Sequence, residues 1–141
     1  MTENDNKLLA ELRRDAGQKI RQLQERTGLS APAIYTKLKK YEQEGIVKRA
    51  TILPDFKKLG YPIHIIFLIE SACENFFEEQ SAVNTAVVLD DGQIAAECYF
   101  SSGAQLDHFI NELEKHNPQK IKFWLVKKEL KREEFFTGAL I

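Results

Sequence analysis

Lys37, Lys39 and Lys40 crowd into four positions, and Lys48 and Arg49 follow within nine more. Cations at that density suit a polyanion, and a nucleic-acid backbone releases its condensed counterions when such groups touch it. Just ahead stand Ser30, Ala31, Pro32, Tyr35 and Thr36, side chains short or polar enough to reach base edges when a helix N-terminus enters a major groove. The expected DNA-contact set is therefore Ser30, Ala31, Pro32, Tyr35 and Thr36 for bases, with Lys19, Lys39, Lys40, Lys48 and Arg49 for phosphates. A lysine-rich helix face taken alone is more often a solvated surface than a binding site. What tips the reading is the grammar of the elements around it.

Other chemistries are poorly served by the residue types present. His64, His108 and His116 are dispersed, and His64 lies in a strand pattern, where such a residue is more often half-buried and satisfied than a ligand. Cys73 and Cys98 lack metal-ligand spacing and read as reduced thiols of a cytosolic protein. No nucleophile with a nearby base and no phosphate-cradling glycine loop is legible. The expectation is thus no catalytic residue, no metal and no cofactor. The longest apolar run, Ile65–Ile69, is far short of a membrane span. The first residues carry no secretory pattern, so a cytoplasmic location is expected.

Charge is unevenly spread along the 141 residues. Residues 1–60 hold 13 Lys/Arg against 8 Asp/Glu, and residues 61–141 hold 7 against 13, giving +5 and −6 around a total of −1. Chance explains such an asymmetry about as well as function does, but it coincides with the motif.

The elements that must position these cations follow from periodicity. Asp5 precedes Leu8, Leu9 and Leu12, a helical stripe that Asp5 is placed to cap, and Gly17 closes the segment. Ile20 and Leu23 predict a second short helix with Lys19, Arg21, Glu25 and Arg26 outward. Thr27-Gly28-Leu29-Ser30 then supplies a left-handed turn residue, an apolar plug and an N-cap, with Pro32 in the first turn, where its missing N–H costs nothing. The third helix runs to about Glu44 and stops at Gly45, burying Ile34, Leu38 and Tyr41. Ile46–Leu53 alternates loosely and is β-branched, so it is expected as a wing or linking strand.

The residues Asp5…Leu8-Leu9, Gly28-Leu29-Ser30, Leu38…Glu42…Gly45-Ile46-Val47 and Leu53-Pro54-Asp55…Leu59-Gly60-Tyr61 resemble the leucine-responsive regulatory protein/AsnC (Lrp/AsnC, feast/famine) family. The likeness covers nearly the whole chain, and the order and spacing of the pieces carry it. Three positions depart from the family pattern: Gln24 stands where a small residue is usual, Lys37 where an Arg is usual, and Ala31 where Pro is common, with Pro shifted to 32. The resemblance implies a DNA-binding transcription regulator that works as a dimer or larger assembly on a pseudo-palindromic operator. It also implies a small-molecule effector, such as an amino acid, near the opening of the third strand, where Asp91 and Gly92 align. Asp90-Asp91-Gly92 is also a strong hairpin signal, and a plain turn is the better reading of it.

From Tyr61 the pattern changes. Strands are expected at Ile63–Ile69, Thr85–Leu89, Ile94–Phe100 and Ile121–Val126, with helices over Glu74–Val83 and around Leu106, Phe109, Ile110 and Leu113. A charged tail, helical or extended, follows. The expected fold class is α+β: a winged helix-turn-helix of three helices joined to a βαββαβ ferredoxin-like domain with an antiparallel sheet. The expected divisions are 1–50 for DNA binding, 51–60 as linking strand or hinge, and 61–141 for dimerisation and effector binding. The first strand is apolar on both sides, and so is the last, where Trp124 and Val126 oppose Phe123 and Leu125. A sheet face of that kind calls for cover by a second copy, or by the N-terminal domain or tail of the same chain. Two alternatives to a regulator stand beside it: a sirohaem-type tetrapyrrole decarboxylase of related architecture, and a purely architectural DNA binder.

Overall fold

The structure, a computed structural model, describes residues 1–133, and the end of the charged tail lies outside them. Two compact units form: Met1–Leu53 together with the described residues from Leu130, and Pro54–Glu129.

The first unit is built on α1 (Glu3–Arg14), α2 (Ile20–Thr27) and α3 (Ala31–Gln43). Leu8, Leu23, Ile34 and Tyr41 form its buried centre, and Leu9, Leu12, Ile20, Leu29, Leu38 and Val47 pack round them. This is the stripe that helical spacing predicts. Thr2, rather than Asp5, is the N-cap of α1: the Thr2 hydroxyl accepts from the Asp5 N–H while Asp5 reaches back to the Thr2 N–H at 2.7 Å. Asp5 thus fills the third position of a capping box. Gly28 takes φ +73° and turns α2 into α3, as Gly45 does after α3 with φ +68°. Ile46–Leu53 forms no strand, although its composition favours one. An extended segment becomes a strand only when another strand takes its N–H and C=O groups, and here the Ile46 and Val47 N–H groups return to the Tyr41 carbonyl.

The second unit is a four-stranded antiparallel sheet of order β2-β3-β1-β4, with β1 (Ile63–Glu70), β2 (Val83–Val88), β3 (Ile94–Phe100) and β4 (Lys120–Leu125). Helices α4 (Glu74–Glu79) and α5 (Gly103–Glu114) complete the βαββαβ order. Ile65, Phe67, Ile69, Ile94, Ala96, Cys98 and Phe100 meet Phe76, Phe77, Phe109 and Leu113 in one core. Its phenyl rings lie edge-on or tilted at 5.2–6.4 Å between centroids, the arrangement their quadrupoles favour. Helix α4 ends at Glu79, earlier than the expected Val83, because Val83 pairs with Cys98 instead. A β-branched residue offered a ladder partner gains more there than in a frayed helical turn. The opposite sheet face carries Ile66, Leu68, Ala95, Val87 and Trp124, and Trp124 remains 53% exposed. Residues 127–133 have no regular structure, and the tail's expected helix or strand beyond 133 falls outside the described residues.

Candidate nucleic-acid interface

Helix α3 opens with Ser30, whose hydroxyl accepts from the Ala33 N–H at 3.4 Å, and with Pro32 in its first turn. Tyr35 projects with 61% of its surface exposed. Thr36 is exposed too, but its hydroxyl donates to the Pro32 carbonyl at 2.9 Å. With its one hydrogen committed, Thr36 offers an incoming base only an acceptor and a methyl group. Pro32 is exposed, whereas Ala31 is half-buried. Lys39 and Lys40 continue along the exposed side, and Lys48 and Arg49 follow on the irregular segment.

Ion pairing sorts the cations of this unit. Lys7 pairs with Glu3, Arg21 with Glu25, Arg13 with Glu133, and both Arg14 and Arg26 with Glu11. The Arg26 hydrogen bond, at 2.9 Å, does most to hold the Glu11 carboxyl below the usual carboxylate range. Lys40 has only a loose contact with Glu44 at 3.9 Å. Among the described residues, Lys19, Lys39, Lys48 and Arg49 form no ion pair. These four and the loosely held Lys40 are the five phosphate candidates of the sequence reading.

Lys37 departs from the exposed face that periodicity suggests for it. Its side chain is 24% exposed, and its ammonium donates to Asp5 Oδ1, which also accepts from the buried Tyr41 hydroxyl at 2.6 Å. Hydrogen bonds from Lys37, then Tyr41, then Thr2 hold the Asp5 carboxyl far below its ordinary range. Burial, followed by the Asp5 contact, pushes the Tyr41 phenol well above its own. Lys37 is therefore a strut between α1 and α3. The 32 residues separating Asp5 from Lys37 hid the contact from any local pattern, although a buried tyrosine always requires a partner for its hydroxyl.

Asp91 and Gly92 form the β2–β3 turn. Gly92 takes φ +84°, and both Asp91 oxygens accept from Gln93, at 3.0 Å from the backbone N–H and 2.7 Å from the side-chain amide. These bonds, the backbone one first, hold the Asp91 carboxyl below its ordinary range. A cavity of about 260 Å³ lies elsewhere in the same unit, among Phe56, Tyr61, Asn84, Tyr99 and Gln105. Among the described residues one group of metal-type ligands stands together: His64, Glu97 and Glu129. No described helix is long and apolar enough to cross a membrane.

Residues 1–48 match a family model described as winged helix-turn-helix DNA-binding. The chain is 34% identical over 127 residues to the HTH-type transcriptional regulator LrpA of Bacillus subtilis (strain 168), a match covering 84% of this chain and 93% of that protein. It is 32% identical over 108 residues to LrpA of Pyrococcus horikoshii, covering 77% of this chain and 70% of that one. In fold it matches the Neisseria meningitidis transcriptional regulator NMB0573, solved as its L-Met complex, with a TM-score of 0.85 at 20% identity, over 94% of this chain and 93% of that one. An AsnC family regulator from Agrobacterium tumefaciens follows at 0.82 and 20% identity, covering 94% of each chain.

Proposed function

Since the chain belongs to the Lrp/AsnC family of DNA-binding transcription regulators, we propose that it grips operator DNA through α3 and its flanking cations. The relatives give no support to the tetrapyrrole decarboxylase alternative. Tyr35 and Thr36, with Ser30, Ala31 and Pro32 at the helix start, contact base edges in this reading. Lys19, Lys39, Lys40, Lys48 and Arg49 contact phosphates. The observation that carries it is the sorting of charge within residues 1–50: Lys7, Arg13, Arg14, Arg21, Arg26 and Lys37 pair with carboxylates, whereas Lys19, Lys39, Lys48 and Arg49 form no ion pair among the described residues and Lys40 only a loose one.

The protein acts as a homodimer in this reading, two copies pairing the sheet face that carries Ile66, Leu68 and Trp124. Burying those side chains removes an apolar patch from water. A two-fold pair reads a pseudo-palindromic operator with half-sites about one helical turn, or a small multiple, apart. Work in the cytoplasm, on DNA, accords with residues 1–60 carrying the positive charge. An amino-acid-type effector draws support from the L-Met complex of the Neisseria regulator. At Asp91 and Gly92 such a ligand has to displace the two bonds from Gln93.

Fluorescence anisotropy on operator DNA across a salt series tests the interface. Each phosphate contact contributes about 0.9 to the slope of log K against log salt, so Lys39→Ala in a dimer lowers it by about 1.8. Tyr35→Ala leaves the slope alone and changes the ranking of operator variants. An unchanged slope in Lys39→Ala together with an unchanged ranking in Tyr35→Ala defeats the assignment.

A further inference from the structure

We propose that His64, Glu97 and Glu129 form a binding site for a divalent transition-metal ion of the zinc class. The inference is independent of the DNA-binding reading. One imidazole nitrogen and one oxygen from each carboxylate all lie within 4.8 Å of one another. His64 Nε2 is 2.7 Å from Glu97 Oε1. Around a tetrahedral ion with bonds of 2.0–2.2 Å, ligand atoms stand about 3.3 Å apart. The closest pair therefore opens slightly and the widest closes, changes within reach of side-chain rotation. The imidazole in the set selects a transition metal over magnesium or calcium, which favour all-oxygen sites.

The surroundings hold the ligands in place. His64 and Tyr99 are paired residues of β1 and β3, and their rings stack at 4.3 Å and 16°. Phe56 stacks on the far side of Tyr99 at 4.0 Å and 19°. The Glu97 carboxylate accepts from Tyr99 Oη at 3.2 Å and from Asn84 Nδ2 at 2.9 Å. Asn84 reaches it because the β2–β3 register shifts between Val83 and Thr85, a bulge that re-aims one side chain. Hydrogen bonds of this kind to a ligating carboxylate fix its orientation and strengthen metal affinity. His64 and Glu97 are half-buried, while Glu129 stands exposed at the rim and leaves a side from which an ion can enter.

The test is calorimetric titration of Zn²⁺ into the full chain, stripped beforehand with chelator, alongside Co²⁺ followed by visible absorption. The expected result is one ion per chain, with a Co²⁺ spectrum free of thiolate charge transfer. H64A, E97Q and E129Q each weaken binding at least about tenfold, and Y99F weakens it less. E129Q is the decisive variant, because Glu129 is exposed and the amide keeps the size of the carboxylate while removing its charge. Wild-type affinity in E129Q overturns the proposal. So does loss of binding in the H108A/H116A double variant, or a sulfur-to-cobalt band implicating Cys73 or Cys98.

Discussion

Replacing Asp5 with alanine removes an acceptor shared by the Lys37 ammonium, the Tyr41 hydroxyl, and the Thr2 N–H and hydroxyl. Loss of the capping box costs about 1 kcal/mol. Leaving the buried Tyr41 hydroxyl without a partner costs about 1 to 3 kcal/mol. Lys37, only partly buried, can swing to water, so its lost ion pair adds at most about 1 kcal/mol. Together these destabilise the helical unit by about 2 to 5 kcal/mol, a shift of about 2 to 5 M in urea midpoint for a small domain with a slope near 1 kcal/mol per molar. Circular dichroism at 222 nm follows the helices, most of which belong to this unit, while fluorescence of the single tryptophan, Trp124, follows the sheet unit. The expected result is a large shift in the helical signal with the Trp124 transition unmoved. The Asp5 pKa is depressed in the folded state, so its contribution is full above the unfolded carboxylate value of about 3.9 and fades as pH falls through the folded one. Glu11, also depressed, weakens the unit in the same direction. The acid limb of stability therefore shrinks in Asp5→Asn without vanishing. An Asp5→Ala midpoint within about 0.3 M of the parent refutes the strut, since even the cap alone is worth more than that.

Three further outcomes follow from the packing. Trp124→Lys places a charge on the open sheet face and should convert a dimer to monomer in light scattering; a variant that stays dimeric rules out pairing through this face. Gly28→Ala should lower helical-unit stability by about 1 to 2 kcal/mol in thermal melts, because φ +73° strains any residue with a Cβ, whereas no neighbouring atom obstructs one. An unaltered melting temperature argues against the left-handed turn. Burial, with a smaller part from the Glu97 charge, pushes the Cys98 thiol up to about 12. Cys98 should therefore resist disulfide exchange with Ellman's reagent at pH 8 in the native protein and react once unfolded.

Helical and alternating periodicities were enough to locate eight of the nine elements among the described residues to within a few positions, because each is organised by its own apolar stripe: Leu8 to Leu12, Ile34 to Tyr41, Ile63 to Ile69, Leu106 to Leu113. Gly28 and Ser30 marked the turn between α2 and α3 for the same local reason, since a left-handed residue and an N-cap act within a few positions of themselves. Composition also separated the basic first part from the acidic remainder. What local pattern could not decide was every outcome that turned on a distant partner. Val83 left the helix for a strand because Cys98 was available to pair with it. Ile46–Leu53 stayed irregular for want of such a partner. Lys37 turned to Asp5 rather than outward, and His64 met Glu97 across a pleat that only the β1–β3 register defines. Propensity and periodicity act over a few residues, whereas ion pairs and ladders form between segments that only the folded chain brings together.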